Sequence, residues 1–388
     1  MRLPRATTVA PIRQISPSLY QAMLRCRARA AWIAHGDKAA VPLLPKALLG
    51  TCFHAAVEQA NRGQFSGLGR DEQLQAARNV FDRSAQTVLA QTHPLLRVKF
   101  GSPEKLPYYN LYRERAAIEA ADSAERVNLD RSRERDYGAL EQPPSRAVEE
   151  RLVSKDGLIV GRPDLIDPIG QEVVDYKTGL GQDDVPNEMS EAEIRQLRLY
   201  VHLAIENGIS ISRAVIARSN GQRASINISN EEAAEEGRNA REVLAEYNIR
   251  AGESFDIAGQ PSVENCQFCP CIPFCESFWR AAALTWAEQC GTHIEGRIVA
   301  IELSTVQELN LVTLRVDVQR GTVPVGEIYI EQIPERWINS DGSDRLQEGD
   351  FIRVVFGRIV SELPPRVMRA DRTATAVWSV PGPRSNTV

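Results

Sequence analysis

The segment Gly161–Gly179, GRPDLIDPIGQEVVDYKTG, carries two carboxylates and a lysine whose spacing points to chemistry. If its two apolar runs form a hairpin turning at Ile169 and Gly170, cross-strand partners have numbers summing to 339, and Asp164 faces Asp175. Opposed residues of an antiparallel pair hold their Cβ atoms about 4.5–5.5 Å apart, so two anions there repel unless a cation lies between them. A divalent metal answers that need. Strand alternation sends Lys177 to the side of Asp175 and Tyr176 to the other. Two acids to hold Mg²⁺ or Mn²⁺, with a lysine beside them to orient water, suit phosphodiester hydrolysis. Asp-x-Lys by itself equally suits a solvated hairpin.

The neighbouring segments read as elements able to position these groups. Ser190 and Glu193 stand in capping-box spacing ahead of Ile194, Leu197, Val201, Ala204 and Ile205, which predicts an amphipathic helix ending near Gly208. Gln196 and Tyr200, four apart, share one face of it. Upstream, a helical run holds Leu48, Leu49, Phe53 and Val57, with His54 and Glu58 four apart. A packed core histidine is one reading of His54; as a ligand, its imidazole favours manganese over magnesium. Before the hairpin, RAVEERLVS and LIVGRPDLID read as strands of an antiparallel meander. Arg113, Glu114, Arg115, Arg131, Arg133, Glu134 and Arg135 mark a charged helical stretch that reads as a solvated surface rather than a DNA track.

Four cysteines crowd into NCQFCPCIPFCESFW: Cys266, Cys269, Cys271 and Cys275. The loops between them are too short for ordinary bridging, and the pattern predicts a metal or cluster site. Cys52 and Cys290 read as packing residues. After a short helix around residues 279–288, alternating runs such as TLRVDV, GEIYI and FIRVVFGRIV predict a small β-domain of five or so strands, closest to an OB-type barrel.

The ordered set Gly50-x3-His54-x3-Glu58, Gly161-Arg-Pro-Asp164, Asp175-Tyr-Lys177-Thr-Gly and Gln196-x3-Tyr200 resembles the RecB-type branch of the PD-(D/E)XK nuclease superfamily over residues 15–290. The resemblance implies an α/β core, a central mixed sheet flanked by helices. It also implies His54, Asp164 and Asp175 as metal ligands, Lys177 as catalytic, Gln196 and Tyr200 as its support, and 5′-phosphate and 3′-hydroxyl products. Cys26, Cys266, Cys269 and Cys275 resemble the iron-sulfur pattern of AddB-like and CRISPR-associated RecB-type nucleases, which implies a [4Fe-4S] cluster. Cys271 departs from that pattern and leaves a four-cysteine zinc site as an alternative, although just one Cys-x2-Cys pair is present.

Length and composition fit this reading and exclude others. The chain has 388 residues with 43% hydrophobic and 25% charged residues, as in folded globular proteins, and divides at about 12–290 for the nuclease and 292–382 for the β-domain. Its net charge of -5 excludes coating of nucleic acid by bulk positive charge. No run is apolar enough to cross a bilayer, and the amino terminus lacks a signal-peptide core, so the expectation is a cytoplasmic protein without membrane association. The expected activity is a Mg²⁺- or Mn²⁺-dependent deoxyribonuclease acting on single-stranded or branched DNA. With no Gly-x4-Gly-Lys-Ser/Thr loop in the chain, unwinding falls to a helicase or other motor partner. The alternative is a non-catalytic nucleic-acid-binding or assembly subunit that keeps the fold and the cluster for shape.

Overall fold

A computed structural model describes the chain except residues 2, 4–7, 137–145, 180–187, 307, 339–341, 343–344, 363–365, 372–374 and 381–388, together with the side chains of 130–136. The side chains of Arg131, Arg133, Glu134 and Arg135 and the outer limit of the expected β-domain therefore lie outside the described residues.

The amino-terminal part opens with helices α1 (Pro17–Arg25), α2 (Arg27–His35), α3 (Pro45–Asn61), α4 (Arg70–Gln91), α5 (Pro94–Phe100) and α6 (Tyr109–Asp136). Ser16 caps α1 by accepting from the Leu19 amide at 3.3 Å. Strands β1 (Ala147–Val148), β4 (Leu165–Asp167), β5 (Glu172–Lys177), β6 (Arg213–Arg218) and β7 (Arg223–Asn227) form a five-stranded sheet in that order. β5 and β6 run parallel and the other neighbours antiparallel. Their crossover is helix α7 (Glu191–Glu206), which starts in the expected Ser190–Glu193 capping box. Helix α8 (Asn230–Ile249) follows β7 from a second box, Ser229–Glu232.

Alternation along the strands divides the core. Ile166, Val173, Ala214 and Ile216 pack with Leu197, Val201 and Leu244 of α7 and α8. Leu165, Val174, Tyr176, Val215 and Ala217 pack with Phe53, Val57, Phe81 and Tyr112 of α3, α4 and α6. The central mixed sheet flanked by helices is thus as expected.

Two expected strands are broken. RAVEERLVS yields β1 and, separately, β2 (Leu152–Val153); LIVGRPDLID yields β3 (Val160–Gly161) and β4, with β2 and β3 forming a ribbon apart from the main sheet. The first break falls at Glu149, whose φ of 51° cannot continue a ladder. The expected helix over 279–288 resolves into a helix at Glu276–Ala281 and a 3₁₀ turn at Thr285–Cys290.

The carboxy-terminal strands are β8 (Thr292–Val306), β9 (Leu309–Gly321), β10 (Gly326–Pro334), β11 (Phe351–Ser361), β12 (Arg366–Arg369) and β13 (Ala376–Val380). β8 pairs with β9 and β11, and β9 with β10. β12 lies parallel to β10 and antiparallel to β11, so the pairing returns on itself around an apolar interior of Ile298, Leu314, Val316, Ile330, Val354 and Met368. Buried Arg353 joins these strands to the cysteine segment: it donates to Pro273 O at 2.8 Å, pairs with Glu295 at 2.5 Å and with Glu276, and stacks 4.9 Å from the Trp279 ring.

Candidate active site

The hairpin has the expected register: Leu165 faces Val174, Ile166 faces Val173 and Asp167 faces Glu172, each pair summing to 339. Asp167 shapes its turn by accepting from the amides of Ile169 and Gly170, both at 3.1 Å. Asp164 lies one residue beyond this ladder, where its Oδ2 accepts from the Tyr176 amide at 2.6 Å. On the other side β1 pairs with β4, and the Glu149 amide donates to Asp164 O at 3.2 Å. Three adjacent strands therefore carry Glu149, Asp164 and Asp175 at one level.

Helix α3 brings in His54, whose Nδ1 stands 3.1 Å from Asp164 Oδ1. One ligand atom each from His54, Glu149 and Asp164 lie within 4.8 Å of one another, a separation that one metal ion can span. Asp175 stands beside this group rather than in it. Its Oδ1 accepts from Gln196 Nε2 at 2.8 Å, and its Oδ2 lies 2.7 Å from Lys177 Nζ without the direction of a hydrogen bond, buried and otherwise unpartnered. Such an oxygen is suited to a cation. Gln196 Oε1 accepts from Lys177 Nζ at 2.8 Å, and Gln196 Nε2 reaches Tyr200 Oη at 3.2 Å. Tyr200 donates in turn to Arg162 O at 3.4 Å. Tyr176 points away, accepting from Asn61 Nδ2 at 3.3 Å. Glu58 is drawn to Arg62, 2.8 Å away, and takes no place among the grouped ligand atoms.

Two motif glycines make the convergence possible. A Cβ on Gly50 would come 2.8 Å from Thr178 Oγ1, so glycine lets α3 close on the end of β5. A Cβ on Gly161 would meet Leu203 at 2.6 Å and the Tyr200 ring at 3.1 Å, so glycine there lets α7 seat against β3.

The cysteine segment packs against the first two helices. Cys26 sits at the junction of α1 and α2, and Asn265 Nδ2 donates to Arg25 O at 2.9 Å. Cys26, Cys266, Cys269, Cys271 and Cys275 are buried around one small cavity, all as free thiols. Among the described residues no three cysteine sulfurs lie within 4.8 Å of one another.

Residues 14–276 match the model of the PD-(D/E)XK nuclease superfamily, more than half of the chain. The chain belongs to that superfamily. As a PD-(D/E)XK superfamily member it has the metal-dependent nuclease fold. None of the curated proteins matches it. A solved structure titled "Crystal structure of SSO0001" is similar at 21% identity, over 43% of this chain and 78% of its own, with a TM-score of 0.22, too weak a likeness to bear on function. No helix among the described residues is long and apolar enough to cross a membrane.

Electrostatics in the site of this PD-(D/E)XK chain follow from crowding anions in a half-buried space. Burial pushes the Glu149 carboxyl up to about 7, and its hydrogen bond with Asp164 adds to the rise. Burial likewise raises Asp175 to about 6; Lys177 opposes the shift and Asp164 reinforces it. For His54, burial works against the charged form, but Asp164 outweighs it, so its pKa rises. Asp164 goes the other way: burial opposes ionisation, yet His54 and the Tyr176 amide hold it below the usual range. Glu149 escaped the sequence reading because two adjacent glutamates, Glu149 and Glu150, fall in one expected strand. Pairing RAVE with LID would have picked it out as the acid opposite Asp164.

A pH dependence follows with a definite sign. Glu149 and Asp175 have raised folded-state pKa values, so their contribution to stability is full below the ordinary carboxylate range and is lost as pH rises through about 6 and 7. A cation must displace those protons, so Mn²⁺ affinity rises about tenfold per pH unit in that window for each proton displaced. In thermal unfolding with and without Mn²⁺, the metal-induced upshift should grow from about pH 5 to about pH 8. Glu149→Gln should flatten that growth. An upshift equal at both ends would contradict it.

Proposed function

We propose that the chain is a Mg²⁺- or Mn²⁺-dependent deoxyribonuclease that cuts single-stranded or branched DNA and leaves 5′-phosphate and 3′-hydroxyl ends. One observation carries this reading: Lys177 Nζ is held between Asp175 and Gln196 beside the grouped ligand atoms of His54, Glu149 and Asp164. His54, Asp164, Asp175 and, as an addition to the expected set, Glu149 would hold the cation. When bound, the cation supplies positive charge to the scissile phosphate and makes water more acidic.

The chain's own residues do the rest. Gln196 fixes Lys177 Nζ through its oxygen and Asp175 Oδ1 through its nitrogen, so ammonium and carboxylate cannot turn independently. Tyr200 braces Gln196 against the backbone at Arg162. Lys177 is thereby aimed to orient the attacking water and to offset charge that builds on the phosphate oxygens. Water oxygen bonds to phosphorus, the P–O3′ bond breaks, and the water's proton is made good on the departing 3′ oxygen.

We also read Cys26, Cys266, Cys269 and Cys275 as holders of a [4Fe-4S] cluster, supported by their burial around one cavity. The closure of the β8–β11 strands by β12, parallel to β10 and antiparallel to β11, supports an OB-like barrel that helps hold DNA, in a domain distinct from the nuclease. A helicase or other motor partner would supply unpaired strand.

The test is direct. Labelled single-stranded DNA with Mn²⁺ should be cut by the wild-type protein and not by Asp164→Ala, with chelation abolishing the wild-type reaction. Equal cutting by both would move the chemistry elsewhere. DNA binding without cleavage under any divalent metal would favour the non-catalytic subunit.

A further inference from the structure

A second cavity, of about 160 Å³, opens where the start of α3, the cysteine segment and the carboxy-terminal strands meet. Leu44, Ala47, Phe268, Phe356 and Trp378 line it, and Lys99 is the one charged residue at its wall among the described residues. Lys99 is tied in place, donating to Thr375 O at 2.5 Å with the Trp337 ring 4.7 Å from its Nζ. Phe268 is 67% exposed, an unusual state for a phenylalanine flanked by the buried Cys266 and Cys269.

The place of this cavity relative to the metal-ligand group follows from helix geometry. Ala47 and His54 are seven residues apart on α3, which puts them about 20° from each other around the helix and roughly 10 Å apart along it. Cavity and ligand group thus share one face of one helix. Between them lies Thr51, exposed, and at the cavity end Lys46 stands 5.3 Å over the ring of Tyr108, itself 53% exposed. A cation beside open aromatic rings is the composition that holds an unpaired strand, phosphates on the lysine and bases on the rings.

The geometry points to this cavity as a docking site for one unpaired nucleobase of the strand whose backbone lies at the catalytic groups. The inference rests on the nuclease reading above and adds where the strand runs. Size narrows the occupant. An apolar cavity of about 150 Å³ takes up a single benzene ring, so a pyrimidine fits and a purine is crowded. Its distance of roughly 10 Å from His54 corresponds to about three stacked nucleotides at ~3.4 Å each, fewer if the strand is stretched.

Two measurements on the full-length protein test it. In the absence of divalent metal, short oligothymidylates carrying one 5-iodouracil at successive positions are photo-crosslinked, and crosslinks at Phe268 or Phe356 are expected. Oligothymidylates with a single abasic residue are then scanned for binding. At one position within three nucleotides of the cut, losing the base should weaken binding roughly tenfold, the effect of a lost stacking contact. Ala47→Leu, a substitution at an exposed helix position that fills the cavity, should bind the intact and that abasic strand alike. Crosslinks elsewhere, or an abasic penalty that Ala47→Leu leaves in full, would overturn the site and point to another occupant. If the wild-type protein cuts no DNA with any divalent metal, the nuclease reading fails, while crosslinking still decides whether a base docks here.

Discussion

Lys177→Ala should lower the rate of DNA cleavage about a thousandfold, the loss expected when a preorganised charge is removed from a phosphoryl transition state. Its Nζ lies 2.7 Å from Asp175 Oδ2 and 2.8 Å from Gln196 Oε1, so the ammonium is aimed by two partners rather than swinging on a free stem. Removing it takes a positive charge from beside the anionic group, so Mn²⁺ affinity should hold or tighten and added metal should not restore the rate. Asp164→Ala should lose rate and metal affinity together. Measuring cleavage and Mn²⁺ binding on both variants separates the two roles. Lys177→Arg keeps the charge but replaces a point cation with a planar fork, and recovery should be small. Cleavage by Lys177→Ala within tenfold of wild type would sink the assignment.

Cys26→Ala should abolish the broad visible absorbance of anaerobically purified protein, with iron and acid-labile sulfide falling alongside it. Cys26 is separated from Cys266 by 266 − 26 = 240 positions, yet both line one cavity. A cluster linking them would restrict the unfolded chain over that span, worth about 5 kcal/mol by the chain-entropy relation for crosslinks. The unfolding midpoint should drop by roughly 10–20 °C, since each kcal/mol moves the midpoint by about 2–4 °C in a large domain. Wild-type protein stripped of iron should melt close to the variant, because both lack the same staple. Absorbance and midpoint unchanged by the substitution would remove the cluster from this site, and zinc retained without iron would favour the alternative.

The hairpin was legible because its determinants are local. Alternation and a Pro-Ile-Gly turn give one register that keeps Ile166 and Val173 on one side of the sheet and Leu165 and Val174 on the other, and a slip of one residue would exchange the two. The α7 start was equally local, a capping box whose two members are three residues apart. Glu149 was not legible from any local pattern, and only the pairing of two separate strands picks it out. Its place depends on the left-handed bend that ends β1 and on pairing with β4 across some sixteen residues of intervening chain, and neither glutamate of the pair carries a mark in the sequence. The return of β12 onto both β10 and β11 is similarly a matter of which edges meet, not of any pattern within the short run Arg366–Arg369.

By itself the sequence determined the chemical kit of this chain: two acids facing across a hairpin, a lysine beside one of them, a glutamine and tyrosine on one helical face, and four cysteines crowded into one short segment. Periodicity and turn residues act over a few positions, so they can be read without knowing the fold. Tertiary structure decided what that kit touches. It set His54 against Asp164, added Glu149 as a third acid, left Asp175 to Lys177 and Gln196, and drew Cys26 to the distant cysteines. Those contacts come from packing helices on both faces of a sheet, where burial of apolar side chains far apart in the chain, rather than local preference, fixes which polar groups meet.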